Sequence, residues 1–164
     1  MKRKQKGFSL IELLIVVAII LIIAAIAIPN LIRAKMQANE TSAVASLRTI
    51  NTAEVVYSTT YNVPSVYAWT LTALSDGGAS ATNCNPPTSG FACLIDFSLA
   101  SATVAPGKSG YIFTPGNTGN GTFFVNADPV SPGSTGQKHF YTDQTNVIRQ
   151  DPNNAQASAN SSPI

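Results

Sequence analysis

The sequence predicts an α+β subunit: one long N-terminal helix, apolar then amphipathic, packed on a small antiparallel four-stranded β-sheet. Three observations carry this. From Phe8 to Ile28 every residue is apolar or small except Ser9 and Glu12, which gives about 32 Å of helix, enough to cross a bilayer core. Beyond Pro29 the apolar positions Ala43, Leu47, Ile50, Ala53, Tyr57 and Tyr61 recur in steps of three and four, so they share one helix face. The last third holds four short β-branched and aromatic runs separated by turn residues.

Of the ten basic residues, Lys2, Arg3, Lys4 and Lys6 stand immediately before the apolar run, and the chain beyond residue 7 holds six basic against eight acidic residues. That balance does not suggest a basic nucleic-acid-binding surface, and no nucleic acid is required as a partner. The positive cluster instead sets topology: the N-terminus stays cytoplasmic and everything after Ile28 is exported. Export makes the two cysteines, Cys84 and Cys93, a disulfide, because the compartment is oxidising. With no further ligand at matching spacing, a zinc site is not indicated.

Taken in order, residues 1–7 are a short basic leader and 8–29 the membrane-spanning helix half. Residues 30–62 are the amphipathic half, with a kink expected at Pro29, where the ring removes a backbone donor. The helix should run from about Phe8 to about Asn62 and stop before Pro64. Residues 63–109 form a loop region punctuated by Asp76-Gly77-Gly78, Asn85-Pro86-Pro87 and Pro106-Gly107. Trp69, Leu71, Leu74, Phe91, Leu94 and Phe97 are its anchors onto the helix. The sheet occupies 110–151, with strands at Gly110–Thr114, Thr122–Asn126, Lys138–Thr142 and Asn146–Arg149. Asn120-Gly121 marks the first hairpin. Residues 152–164, rich in Asn, Ala and Ser, read as a poorly ordered, flexible tail.

Glu12 is the residue that needs explaining, because a carboxylate inside a membrane segment costs on the order of 3 kcal/mol unless it finds a partner. An ordinary secretory signal, cut near Ala25-Ile26-Ala27 to release a soluble domain, leaves it unexplained. A simple membrane tether does too. If the chain is cut between Gly7 and Phe8, a new α-amine appears four residues before Glu12. A carboxylate in an apolar bundle would then gain from a neighbouring subunit's ammonium group, and the contact would set the stagger between helices.

Gly7-Phe8-Ser9-Leu10-Ile11-Glu12-Leu13, preceded by basic residues and followed by an apolar run to Pro29, resembles the class III signal of type IV pilins and type II secretion pseudopilins. The resemblance covers about the first 30 residues. It implies that a prepilin peptidase cuts after Gly7 and methylates the amine of Phe8. It places Glu12 where that family neutralises a neighbour's N-terminus, and Pro29 where the helix loosens on assembly. It further implies a helical homopolymer, a single-pass inner-membrane precursor served by an assembly platform, and an extracellular or periplasmic filament. Cys84 and Cys93 depart from the family's usual C-terminal disulfide loop. Asp128-Pro129-Val130-Ser131 stands where major pseudopilins carry an Asp-Pro-Trp-Gly-type segment, which favours a pilus over a pseudopilus. A minor tip pilin remains a further reading.

No catalytic constellation accompanies these features, and neither enzyme activity nor a cofactor is expected. His139, the single histidine, has no nucleophile or metal cluster beside it in sequence, so a structural role is expected. Residues 116–121 lack the Lys-Ser/Thr ending and the following helix of a phosphate loop and read as a hairpin loop. Asp76, Asp128, Asp143 and Asp151 are scattered. The pseudopilin likeness alone raises Asp128 and Asp143 as oxygen ligands for calcium, and no metal site is assigned. Asn120-Gly121-Thr122 and Asn160-Ser161-Ser162 match glycosylation sequons only weakly for a chain of this class. Tyr57, Tyr61, Trp69, Phe113 and Phe124 are expected in the core.

Overall fold

The computed structural model describes residues 7–61, 67–68, 70–78, 84–117, 121–153 and 155–164. The chain forms two compact units, Met1–Lys35 and Met36–Ile164. One continuous helix, α1 (Leu10–Thr60), contributes to both and carries Pro29 inside it. Its bounds lie two residues inside those expected at each end. The leader residues 1–6, Pro64, Trp69 and Asn120 lie outside the described residues.

In the first unit the helix is apolar all round and nothing covers it: Leu10, Ile15, Leu21, Ile26 and Leu31 are all exposed. In the second unit the expected stripe is buried. Ala43, Leu47, Ile50, Ala53 and Tyr57 turn inward and Tyr61 packs against the same core, as a 3.6-residue period requires. The outward face is rich in threonine, which is a poor helix former unless its hydroxyl finds a partner. Here Thr41, Thr49, Thr52 and Thr59 each donate to the carbonyl four residues back.

The sheet is a meander of antiparallel neighbours in the order β1 (Tyr111–Gly116), β2 (Phe124–Pro129), β3 (His139–Asp143), β4 (Arg149–Asp151) and β5 (Ser162–Pro163). The four expected strands are present, displaced by one to three residues at their ends. Tyr111 and Phe113 alternate with partly exposed Ile112 and exposed Thr114, so one face of β1 enters the core under α1. Val125, Ala127 and Phe140 complete that face.

The fifth strand corrects the expectation of four. Composition gives no hint of structure in the tail, yet residues 155–164 turn back along β4. The Ile164 amide donates to the Ile148 carbonyl at 3.1 Å. Arg149 reaches the Ser161 carbonyl at 3.2 Å, and Ala157 is buried. A two-residue strand carries no periodic signal; its placement comes from the edge groups of β4 that need partners.

Two short helices, α2 (Leu71–Leu74) and α3 (Phe97–Ala100), lie in the region read as loop. Each has a side-chain N-cap, Thr70 and Asp96, accepting from the amides of Ala73 and Leu99. Leu71 and Leu74 are buried and Leu94 is partly buried against the core, whereas Phe97 stays 44% exposed. Gly107 is required where it stands. Its φ is +68°, and a Cβ there would collide with the Tyr111 carbonyl, the acceptor for Lys108 that starts β1.

Cys84 and Cys93 are joined, with Cα atoms 5.9 Å apart. The closed loop is short, so its bond should contribute about 2–3 kcal/mol. Chemical unfolding with and without reductant should show a midpoint shift of that size, and limited proteolysis should cut between the cysteines only after reduction.

Candidate functional site

The N-terminal segment holds most of the residues singled out from sequence. Phe8 is 82% exposed and Gly7 has open space around it. The Ser9 amide donates to the Glu12 carboxylate at 2.9 Å, and the Leu13 amide donates to the Ser9 carbonyl. Ser9-Leu10-Ile11-Glu12 therefore forms one arm of a capping box: the fourth residue reaches back to the amide that starts the helix. The pattern is legible in the letters, and it gives Glu12 a role within its own chain. That role satisfies a donor but leaves the carboxylate's charge uncompensated, since a helix N-terminus offers only about half an elementary charge.

From Phe8 to Ile32 large apolar side chains line the helix on all sides, each at least 44% exposed. One helix among the described residues is long and apolar enough to cross a membrane. Contiguous apolar surface on this scale marks a site that another apolar phase must cover. Pro29 lies within it without ending the helix.

The other sequence candidates resolve into local structural roles. Asp128 and His139 face each other across β2 and β3, Nδ1 to Oδ1 at 2.6 Å, and Gln156 donates to the other oxygen of Asp128 at 3.2 Å. Asp143 accepts from the Thr145 amide and hydroxyl and so folds its own turn; Asp151 does the same for Asn153. The register places Asp143 opposite Phe124, four residues along β2 from Asp128. At about 3.3 Å per residue the two carboxylates stand about 13 Å apart along the strand, too far to share an ion. Among the described residues no three His, Cys, Asp or Glu side chains gather in a way that could hold a metal.

Two buried polar contacts were not legible in the sequence. Asn51 and Thr142 exchange hydrogen bonds in the core, 2.8 and 3.1 Å, and tie α1 to β3. Glu54, a polar interruption in the helical run, is 2% exposed and accepts the Ala68 amide at 2.8 Å. Burial pushes its carboxyl up from 4.5 to about 7, against the opposing pull of that amide. Tyr111 is likewise raised, first by burial and then by Glu40 and Asp128, and its hydroxyl donates to the Lys138 carbonyl at 2.8 Å.

The Glu54 shift fixes a sign. Between about 4.5 and about 7 the unfolded chain has lost this proton while the folded chain retains it, so stability declines as pH rises through that window. The loss should reach on the order of 3 kcal/mol and then level off. Urea unfolding of the full chain in detergent should show the decline, and Glu54→Gln should remove it. Equal slopes for both proteins would contradict it.

Comparison with known proteins adds three findings. Residues 2–28 match the family described as the Prokaryotic N-terminal methylation motif. Over 150 residues, 92% of this chain and 96% of its relative, the sequence is 33% identical to the Type IV wide pilus major component PilA4 of Thermus thermophilus. Over 51 residues, 31% of this chain and 23% of the relative, it is 49% identical to the Type IV major pilin protein PilA of Myxococcus xanthus. No solved structure gives a significant match. A relative matched almost end to end, with the methylation motif at the head of the chain, shows that this protein belongs to the type IV pilin family, whose members are structural rather than catalytic.

Proposed function

We propose that this pilus structural subunit is the repeating unit of a type IV pilus, made as a membrane-anchored prepilin and drawn into the filament through its N-terminal helix. The observation that carries the reading is the uncovered apolar helix from Phe8 to Ile32, interrupted by one carboxylate. In the membrane, lipid covers it; in a filament, the same segments of neighbouring subunits replace the lipid and form a shared apolar core.

In this reading a prepilin peptidase removes residues 1–7 after Gly7 and methylates Phe8. Before cleavage the basic leader holds the N-terminus in the cytoplasm. Cleavage removes four positive charges and leaves one amine beside the apolar core. The Glu12 carboxylate of one subunit then pairs with the Phe8 amine of a neighbour. Pairing cancels two charges in a low-dielectric medium and fixes the axial register. Residues 8–29 are the assembly half of α1, and Pro29 is the point where the helix loosens as subunits pack. Residues 30–62 carry the rest of the subunit at the filament surface.

The relatives' names, a wide pilus major component and a major pilin, support a major subunit over a minor one. Asp128-Pro129-Val130-Ser131 supports a pilus over a pseudopilus. Shearing filaments from cells and weighing their protein tests this: the chain should be the principal component, and its deletion should remove the filaments. Filaments that persist without it would assign it a minor place.

A further inference from the structure

Glu54 is the one buried carboxylate that neither assembly nor a turn accounts for. It sits on the inward face of α1 near the helix end, 2% exposed, and its hydrogen bond comes from the Ala68 amide. One turn on, the Tyr57 hydroxyl donates to the Ser89 carbonyl at 2.7 Å. These two side chains fasten the described residues between 67 and 95 to the helix. That layer is cross-braced within itself: the amides of Ala92 and Leu94 donate to the carbonyls of Ala73 and Leu74 at 2.8 and 2.7 Å, and Cys84 is bonded to Cys93. These bonds lie within the layer and the sheet is held by its own ladder, while the two meet through apolar packing, Tyr67 on Phe123 at 4.6 Å among it.

We propose that Glu54 is a proton-operated latch: uncharged, it holds the layer of residues 67–68, 70–78 and 84–95 against the end of α1, and its ionisation loosens that layer while the sheet stays closed. The physical reason is the mismatch between what a carboxylate needs and what this site offers. An ionised carboxyl has room for about four hydrogen bonds, and among the described residues one backbone donor is present. Water is the remaining source, and it reaches Glu54 only if the layer lifts.

The titratable and charged groups around the site supply no compensation. On α1 they are Tyr57 and Tyr61; Glu54 and Tyr61 both act on Tyr57 to disfavour its ionisation. The covering layer brings Tyr67 and Asp76, the loop between the cysteines has no charged residue, and Asp96 is paired with Lys108 at 3.5 Å. The sheet contributes Asp143, which is bound to its own turn. Burial and the Ala68 amide are the influences on Glu54, and no cation is among them.

Opening exposes the carboxyl and returns it to its ordinary value of 4.5, against about 7 when closed. The opening constant should therefore rise about tenfold per pH unit across that interval and then level off. Hydrogen exchange of the full chain in detergent micelles, corrected for the intrinsic rate, measures this. Between pH 5 and pH 7 the amide of Ala68 and its neighbours up to residue 78 should lose on the order of a hundredfold in protection. The same linkage acts on global unfolding, so Val125 and Ala127 in β2 should fall in parallel while staying better protected than Ala68 at every pH, and Glu54→Gln should flatten both responses. Constant protection at Ala68 in the native chain overturns the proposal, whether or not the Gln variant folds. So does protection at Ala68 equal to that at Val125 and Ala127 at every pH, which would mean that the layer opens only by global unfolding, or the same fall in a folded Glu54→Gln protein.

Discussion

Glu12→Ala subunits should reach the membrane and lose their leader yet build no filaments. Breaking a buried ion pair from one side costs about 3–5 kcal/mol, because the other charge is left uncompensated. Applied at every subunit contact, that weakens each addition by more than a hundredfold. The cap adds a second, smaller loss: without the carboxylate the Ser9 amide has no acceptor, which costs about 1 kcal/mol of helix start. Glu12→Gln separates the two. A glutamine still accepts from Ser9 and serves in a capping box, but it carries no charge to meet an amine. Filaments counted by electron microscopy should be absent from both variants. Normal filaments from Glu12→Gln would mean that the cap is the whole role and the intersubunit pair is not needed.

Phe113→Ala should unfold the second unit far more readily than Phe97→Ala. Phe113 is completely buried at the centre of β1, in the core beneath α1. Its removal takes away the transfer free energy of the ring and leaves a cavity, about 3–5 kcal/mol together. Phe97 is 44% exposed at the start of α3. Its truncation should cost less than about 1 kcal/mol, set mainly by lost contact with Gly78. Urea midpoints of the two variants check the ranking; comparable losses would mean that the 97–100 helix is part of the core.

The difference between those phenylalanines shows where sequence reasoning runs out. Both stand in apolar runs beside small residues, and nothing local distinguishes them. What separates them is the partner: β2 and α1 close over Phe113, while Phe97 has solvent on one side. The apolar helix was legible because all but Ser9 and Glu12 of the residues from Phe8 to Ile28 repeat one signal. The stripe from Ala43 to Tyr57 was legible because its period is that of a helix. The disulfide followed from two cysteines in a segment that the basic leader predicts to be exported. Glu54 was not legible, since a glutamate on a helix looks the same whether it meets water or the Ala68 amide. The strand at Ser162–Pro163 was not legible either, because its cause lies in the unpaired edge of β4.

The candidate site divides the same way. Gly7 and Phe8 were singled out by the resemblance of residues 7–13 to a family signal, and Glu12 by standing as a carboxylate inside an apolar run; the cleavage itself is part of the proposal. What Glu12 does before assembly needed the Ser9 contact at 2.9 Å. The roles of Asp128 and Asp143 needed the strand register, which sets them apart and gives each a neighbour of its own.

The N-terminus of the protein recovered from filaments tests the central claim most directly. Intact mass and N-terminal sequencing should find a chain that begins at Phe8 and carries one methyl group on its amine. A chain that begins near Ile28 would make the apolar segment a discarded export signal, and one that retains Met1 would leave no Phe8 amine for Glu12 to meet.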